Sequence, residues 1–426
     1  MNTTELINKI SNGEFDAAFT RLYGEAKIAK AKERYTAALT RYAEIYGESE
    51  GIRLFSVPGR SEISGNHTDH NRGKVLAAAV DLDIIAVAAA NGGDTVRVKS
   101  HGFDMDVVDL SEVKVGAYPK FCSAALIAGV CDGFTGRGYK VGGFNAYTTS
   151  DVIKGSGLSS SAAFEVMIGN ILSNLFNGGA VDAPTLAMIA KYSENEFFGK
   201  PCGLMDQTAC AVGGFVYIDF ENADQPDIRK VDFDLSGRGY DLCITNTGGS
   251  HASLNDDYAS IPSEMKSVAA LFGKEVLRDI TKEDVIENIP KLREKCGDRA
   301  VLRALHFLDE NERVTKQRTA LENGDIETFF RLVIASGESS KSLLQNIFST
   351  KNPAEQGLSL ALELSKRYLA DKGGAWRVHG GGFAGTVQSI VPSDQTAGFK
   401  AYMEKVFGKD TVLVLRIRPD GAIEVK

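Results

Sequence analysis

A glycine- and serine-rich loop joins a predicted strand to a predicted helix near the middle of the chain. The strand covers residues 141–149, and the helix begins near Ser159 with apolar residues spaced three and four apart. Between them, residues 154–163 read K-G-S-G-L-S-S-S-A-A. Glycines allow the backbone to wrap an anion, and the first turn of a helix offers unpaired N–H groups. This order of elements predicts a phosphate-binding loop.

Two common phosphate loops are excluded by their own spacing. A Walker A loop needs a Gly-Lys-Ser/Thr ending, which this segment lacks. A dinucleotide fingerprint needs a third glycine where Ser160 stands. A serine-rich helix cap is the structural alternative, but one serine would suffice for a cap. Three successive hydroxyls favour phosphate or Mg²⁺ as the ligand. The candidate residues of the loop are Gly155, Ser156, Gly157, Leu158, Ser159, Ser160 and Ser161.

A second polar segment, residues 58–71, follows a short predicted strand. A sugar carries a ring of hydroxyls that each donate and accept hydrogen bonds, and a cluster of Asn, His, Thr and Asp side chains can match them. A metal site formed by the two histidines and the aspartate is the alternative. The candidate sugar contacts are Asn66, His67, Thr68 and Asp69.

The third informative segment, residues 199–207, reads G-K-P-C-G-L-M-D-Q. Asp206 follows an apolar pair and precedes a glycine-rich strand, so it should be partly buried and should need a cation nearby. Arg60 is the candidate cation, because a guanidinium can keep a carboxylate ionised and can neutralise charge on a phosphoryl group. For a single Asp considered alone, a structural ion pair is the alternative.

These segments resemble the motifs of the GHMP kinases, and those of the galactokinase type in particular. Predicted strands and helices alternate without regular βαβ repeats, which favours an α+β fold in two lobes that divide near residue 220. The resemblance implies a two-lobed GHMP kinase fold with the active site in the cleft between two domains, residues 1–220 and 221–426. It implies ATP and Mg²⁺ as cofactors. The loop at residues 155–161 would hold the ATP phosphates, and Ser161 and Glu194 would bind Mg²⁺.

The same resemblance assigns catalytic and substrate roles. Asp206 matches the base that acts on the C1 hydroxyl of the sugar, with Arg60 beside it. Gly203 and Tyr258 match positions that contact the sugar. Residues 377–385, R-V-H-G-G-G-F-A-G, are similar to the third family motif, which shapes the cleft. The implied reaction transfers the γ-phosphate of ATP to the anomeric C1 hydroxyl of galactose.

Four positions of the sugar-binding signature depart from the family pattern. Glu62 stands where the family has Asn, Ser64 where it has Ile, Asn66 where it has an acid, and His70 where it has Tyr. In the family, the acidic position binds the C6 hydroxyl of the sugar. Asn66 can still bind a neutral hydroxyl, but losing the negative charge there also lowers the repulsion against a C6 carboxylate.

Two alternatives to a galactose kinase follow. The same kinase chemistry could act on galacturonate, N-acetylgalactosamine or arabinose. Alternatively, the chain could be a galactose sensor that binds sugar and ATP without catalysis. Such sensors lose residues after the serines of the phosphate loop, whereas Ser161, Ala162 and Ala163 are all present here. The enzyme is therefore the favoured hypothesis.

Composition limits the partners. The net charge of −8 argues against nucleic acid as a ligand. Asp81 and Asp83 interrupt the longest apolar run, and residues 1–15 lack the apolar core of a signal peptide, so we expect neither a membrane span nor a leader. The six cysteines show no zinc spacing, which indicates reduced thiols in a cytoplasmic enzyme. We expect a monomer or weak homo-oligomer that binds a sugar and ATP.

Overall fold

The structure is a computed structural model that describes residues 1–152, 157–249 and 254–426. The chain forms two compact units from interleaved segments. Unit 1 comprises Met1–Arg60, Ala79–Gly214 and Arg418–Lys426, and unit 2 comprises Ser61–Ala78 and Phe215–Ile417. The division into domains 1–220 and 221–426 stays a prediction. The segments of the two units alternate along the sequence because two long strands each begin in one unit and end in the other.

Unit 1 combines a mainly antiparallel sheet with helices. Its strands are ordered β12-β1-β2-β5-β3-β4, and only the pairing of β3 with β5 is parallel among those described. These strands are β1 (Arg53–Ser64), β2 (Lys74–Ala90), β3 (Thr95–Ser100), β4 (Met105–Asp109), β5 (Phe144–Ser150) and β12 (Ile423–Val425), with β1 and β2 continuing into unit 2. The helices are α1 (Thr3–Ser11), α2 (Asp16–Tyr23), α3 (Ile28–Tyr46), α4 (Ser123–Thr135), α5 (Ser160–Phe176), α6 (Ala183–Tyr192) and α7 (Met205–Val212).

Helices α2 and α3 cover one face of the sheet of unit 1. Phe19, Tyr35 and Leu39 from these helices share a buried core with Ile85 and Val87 of β2. Burial of such side chains is the main favourable contribution to folding. Helix α5 begins one residue after the predicted start, and its apolar stripe is buried as the spacing predicts. The helix that follows the phosphate loop is therefore anchored in the core.

The sequence pattern predicts a strand at residues 84–90, whereas the observed β2 is longer and begins at Lys74. Asp83 lies within it and is wholly buried. Its carboxylate accepts hydrogen bonds from Tyr23 at 2.6 Å and from Arg418 at 3.0 Å, and it also pairs with Arg34. Burial raises the pKa of Asp83, but the two guanidinium groups outweigh this effect and lower it. The ion pairs thus allow a charged residue inside the strand.

Unit 2 contains a second sheet and a helical layer. The sheet order is β11-β8-β10-β9, all antiparallel, while β6 pairs with the first residues of β2 and with β7. The strands are β6 (Phe215–Asp219), β7 (Asp227–Val231), β8 (Tyr240–Asn246), β9 (Ala375–His379), β10 (Thr386–Pro392) and β11 (Val412–Leu415). The helices are α8 (Asn255–Leu271), α9 (Lys282–Glu287), α10 (Ile289–Cys296), α11 (Asp298–Glu322), α12 (Ile326–Ser339), α13 (Gly357–Leu369) and α14 (Thr396–Phe407).

The sequence pattern predicts a mostly helical region at residues 254–369 and strands at residues 241–246 and 385–391. In the described chain, α8 to α13 confirm the helical region, and β8 and β10 confirm the two strands. Across the described ranges, no helix has the length and apolar character that crossing a bilayer requires.

Candidate active site

Arg60 and Asp206 form a bidentate ion pair in unit 1. The Nε of Arg60 donates to Oδ1 of Asp206 at 2.7 Å, and its Nη2 donates to Oδ2 at 2.7 Å. Arg60 comes from β1, and Asp206 lies in the first turn of α7, where the helix dipole favours a negative charge. The predicted pairing of these two residues is confirmed, and its planar geometry fixes the direction in which the carboxylate points.

The carboxylate of Asp206 is partly open to solvent, with 33% of its side chain exposed against 11% for Arg60. Burial alone would raise the pKa of Asp206. The charge and hydrogen bonds of Arg60, together with the hydrogen bond that the Ser159 hydroxyl donates to Oδ2, have a larger effect in the opposite direction. The net effect is a pKa below the ordinary value. Asp206 is therefore an ionised carboxylate that a hydroxyl group can reach.

The described part of the phosphate loop is fastened to β1. The backbone N–H of Arg60 donates to Leu158 O at 3.1 Å, and its guanidinium also donates to Gly157 O. A side chain on Gly59 would lie 2.9 Å from Leu158 O, so glycine permits this close approach. Leu158 is wholly buried, whereas Gly157 is exposed and Ser159 and Ser160 are half-buried. The predicted contacts Gly155 and Ser156 lie outside the described residues.

Ser161 and Glu194, the predicted Mg²⁺ ligands, lie next to each other. The Ser161 hydroxyl is 3.3 Å from Oε1 of Glu194, which is only 2% exposed and sits in a π-helical turn after α6. The Nζ of Lys200 donates to the same oxygen at 2.9 Å. Hydroxyl and carboxylate oxygens are ligands that Mg²⁺ prefers, and the ammonium group shows that a cation is accommodated here. The donor set therefore fits Mg²⁺.

Two buried residues near Glu194 were not among the predicted site residues. Gln207 donates from Nε2 to Oε2 of Glu194 at 2.8 Å and lies 3.4 Å from Glu165. Burial, and then the charge of Glu194, raise the pKa of Glu165 well above its ordinary value, which favours the protonated form of this carboxyl. The sequence does contain a signal for Glu165, because it is a charged residue within the apolar stripe of α5, four positions after Ser161.

In unit 2, three predicted sugar contacts hold the C-terminal glycine loop, residues 380–385. Asn66 donates from Nδ2 to Gly380 O at 2.8 Å, Nε2 of His67 is 2.9 Å from Gly381 O, and Tyr258 donates to Gly382 O at 2.8 Å. Burial and the nearby Asp257 raise the pKa of Tyr258 to about 12, so its hydroxyl remains protonated and can donate. Each of three consecutive glycine carbonyls thus has a side-chain partner.

The other predicted sugar contacts have different surroundings. Thr68 is wholly buried, with its hydroxyl 2.8 Å from Gly65 O, so it closes a turn of the signature. Asp69 begins a 3₁₀ turn and accepts from the backbone N–H of His70 at 3.0 Å. Gly203 is exposed in the segment before α7. In the described chain, no group of three His, Cys, Asp or Glu side chains is arranged to hold a metal ion.

Two residues of helix α11 form hydrogen bonds with residues 64–66 of the sugar-binding signature. His306 is buried and its Nε2 lies 3.0 Å from Asn66 O, while Oε1 of Glu310 accepts from Ser64 Oγ at 2.8 Å and from Gly65 N at 3.0 Å. Burial raises the pKa of Glu310, but Arg313 and other cations outweigh it and lower the pKa to about 2. Ser64 is thus explained as the partner of a buried carboxylate. Neither His306 nor Glu310 lies in a recognisable motif, so sequence reasoning could not identify them.

Comparisons with known proteins identify the family. The family model described as the GHMP kinases N terminal domain matches residues 124–214, and the galactokinase galactose-binding signature matches residues 40–90. A curated galactokinase from Streptomyces coelicolor is 30% identical over 372 residues, which cover 86% of this chain and 90% of the relative. The chain belongs to the galactokinase family. Members of this family are ATP-dependent phosphotransferases that act on a hydroxyl group.

Solved structures agree on the fold. The crystal structure of Lactococcus lactis galactokinase complexed with galactose matches with a TM-score of 0.76 and 24% identity, over 92% of this chain and 99% of that one. Methanococcus jannaschii mevalonate kinase matches with a TM-score of 0.59 and 15% identity, over 87% and 99% of the two chains. The predicted α+β GHMP kinase fold is confirmed.

Proposed function

We propose that this chain transfers the γ-phosphate of ATP to the anomeric C1 hydroxyl of galactose and releases galactose 1-phosphate and ADP. The observation that carries the proposal is the bidentate Arg60–Asp206 pair at the start of α7, fastened to the described end of the phosphate loop. The S. coelicolor relative is a galactokinase, and this supports galactose as the acceptor. A cytoplasmic location and a monomer or weak homo-oligomer stay predictions.

Asp206 accepts the proton of the C1 hydroxyl. The hydroxyl oxygen forms a bond to the γ-phosphorus while the bond from that phosphorus to the β–γ bridging oxygen breaks, and the bridging oxygen leaves with ADP. Because its pKa is low, Asp206 is a weak base, so it takes the proton late, once the forming O–P bond has made the hydroxyl strongly acidic. Arg60 keeps the carboxylate ionised and oriented.

Ser161 and Glu194 are the residues that would hold Mg²⁺, which neutralises phosphate charge when it is bound. Lys200 shares the carboxylate of Glu194 in the present structure. Gln207 donates to the other carboxylate oxygen and so holds Glu194 in one orientation. A site of one hydroxyl and one carboxylate suits a metal that shares its shell with phosphates and water.

A coupled assay of ADP release tests the proposal with a panel of galactose, galacturonate, N-acetylgalactosamine and arabinose at fixed Mg²⁺–ATP. Galactose is expected to give the highest kcat/KM. Sugar binding without any sugar-dependent ADP release would instead identify a sensor. A higher kcat/KM for galacturonate would contradict the choice of galactose.

The variant D206N tests the role of the carboxylate. We expect kcat to fall by about 10²- to 10⁴-fold with little change in galactose binding, because the amide keeps the shape of the side chain but cannot accept the proton. D298N is the matched control, since Asp298 also forms a bidentate pair, with Arg293, on the surface of unit 2. The control should leave kcat within about twofold of the parent value. Equal effects of the two substitutions would exclude Asp206 as the base.

A further inference from the structure

Two departures from the sugar-binding signature contact each other. Glu62 replaces a family amide and Asn66 replaces a family acid, so the acid and the amide have exchanged positions. The Nδ2 of Asn66 donates to Oε1 of Glu62 at 2.9 Å. Both residues are buried, with 8% of Glu62 and 1% of Asn66 exposed. The exchange therefore keeps one carboxylate and one amide in the same hydrogen-bonded pair.

The side chain of Asn66 has no remaining hydrogen-bonding capacity. Its two N–H groups donate to Glu62 and to Gly380 O, and its Oδ1 accepts from Asn346 at 2.7 Å and from Ser340 at 3.4 Å. An amide can donate two hydrogen bonds and accept two. A sugar hydroxyl could bind Asn66 only by displacing one of these partners, which would leave a buried polar group unsatisfied.

Glu62 differs because only one of its oxygens is engaged. Its Oε1 accepts from Asn66 and lies 3.5 Å from Nη2 of Arg377, which is wholly buried. Among the described residues, no protein donor bonds Oε2, and 10% of the side chain is exposed. The carboxylate of Glu62 is held in place through Oε1, and Oε2 remains available to accept a hydrogen bond from a ligand. This arrangement suits a hydroxyl ligand, because a carboxylate accepts strong, charge-assisted hydrogen bonds.

We propose that Glu62 is the carboxylate that binds a hydroxyl of the neutral sugar, and that Asn66 is a positioning residue that holds Glu62. The proposal rests on the proposed galactose kinase function and names its specificity determinant. The negative charge missing at position 66 is then present at position 62. A C6 carboxylate would be repelled by it, so the chain should reject uronic acids in spite of Asn66.

The test uses E62Q, which keeps the shape of the side chain and removes its charge. Binding of galactose without ATP is measured by calorimetry, and kcat/KM is measured for galactose and galacturonate. We expect galactose binding to weaken about 10-fold and the ratio of kcat/KM for galacturonate over galactose to rise at least about 10-fold. E275Q is the control, because Glu275 is 80% exposed in the same unit, and both readouts should stay within about twofold of the parent.

The exchange variant E62N/N66E returns the carboxylate to the family position. It should reject galacturonate as the parent does, because the carboxylate then occupies the other member of the same hydrogen-bonded pair. If E62Q does not fold, E62D replaces it: this shorter acid should still reject galacturonate while it binds galactose more weakly. Parent-like binding and an unchanged ratio in the folded variant would overturn the inference alone. A parent enzyme that phosphorylates none of the sugars would overturn the proposed function and this inference together.

Discussion

Asp206 has two partners of different kinds, and each lowers its pKa for a different reason. Arg60 acts through its charge and two hydrogen bonds, whereas Ser159 acts through one neutral hydroxyl. Removing Arg60 would change both the charge and the packing of the site. Removing the Ser159 hydroxyl leaves the ion pair of Asp206 with Arg60 in place, so Ser159 is the better probe of the base when ATP is saturating.

In S159A, the pKa of Asp206 should rise, because a hydrogen bond to its ionised form is lost. The acid limb of the kcat/KM profile should therefore move to higher pH by about half to one unit. Activity should fall most at pH values below the limb, where less of the base is ionised. The measurement is kcat/KM for the sugar from pH 4 to pH 8.

The matched control is S123A, which removes the hydroxyl of another serine–aspartate pair, with Asp106, in the same unit. Its pH profile should coincide with that of the parent. An S159A profile that also coincides would mean that Ser159 does not set the pKa of the base.

The same residues show how far the sequence predicts the site. The Arg60–Asp206 pairing was predictable, because a buried acid needs a cation and the family motif supplies one. The partners of Asn66 and Tyr258 were not, because they are backbone carbonyls of a loop distant in sequence, which no spacing rule connects to them. Both residue types suit a sugar equally well. Only the geometry shows that the Nδ2 group of Asn66 and the hydroxyl of Tyr258 already donate to these carbonyls.

At the level of elements, the C-terminal glycine loop depends on close backbone packing. Gly382 has φ of +83°, and a Cβ there would lie 2.1 Å from Asn346 O. Asn346 also donates to Asn66, so a displaced loop would disturb the signature. G382A should lower the melting temperature and weaken galactose binding, since strain and overlap together cost more than either alone.

G373A measures the cost of a positive φ angle without any steric overlap. Gly373 has φ of +75° with nothing within 4 Å of an added Cβ, so we expect a loss of only about 1–2 kcal/mol in the free energy of unfolding. G382A should cost about 1–3 kcal/mol more, and it alone should affect binding. Calorimetric unfolding and galactose titration of both variants provide the measurement. Equal losses in the free energy of unfolding would show that the overlap of the added Cβ with Asn346 O contributes nothing.

Elements with a regular apolar period were predicted well, whereas a strand with buried charged residues was not. Helix α5 was predicted within one residue because its buried face repeats at helical spacing. The first half of β2 was missed because Asp81 and Asp83 suggested an interruption. Their neutralising partners, Lys27 for Asp81 and Arg418 for Asp83, come from other parts of the chain, and a local pattern cannot reveal them.

At the scale of the molecule, Arg418 ties the last segment of the chain into unit 1. It is wholly buried, and besides Asp83 it donates to Ser56 Oγ at 2.6 Å and to Gly421 O at 2.8 Å. Breaking a buried ion pair leaves an uncompensated charge. R418M should therefore reduce the free energy of unfolding by about 3–5 kcal/mol, measured by urea denaturation.

R21M is the control, because Arg21 pairs with Asp420 in the same unit but is 64% exposed. Exposed ion pairs contribute little, so its loss should stay below about 1 kcal/mol. Similar losses for R21M and R418M would contradict the importance of the buried network.

The interleaving of the units has a consequence during synthesis. β12 pairs with β1, and Arg418 neutralises Asp83, so unit 1 is complete only when residues 418–426 have left the ribosome. Translation of the intervening residues 215–417 takes roughly 10–40 s at typical elongation rates. During that time β1 lacks one partner strand and presents unpaired N–H and C=O groups. An open sheet edge can pair with another chain, and a chain cut short after residue 417 lacks the last segment of unit 1.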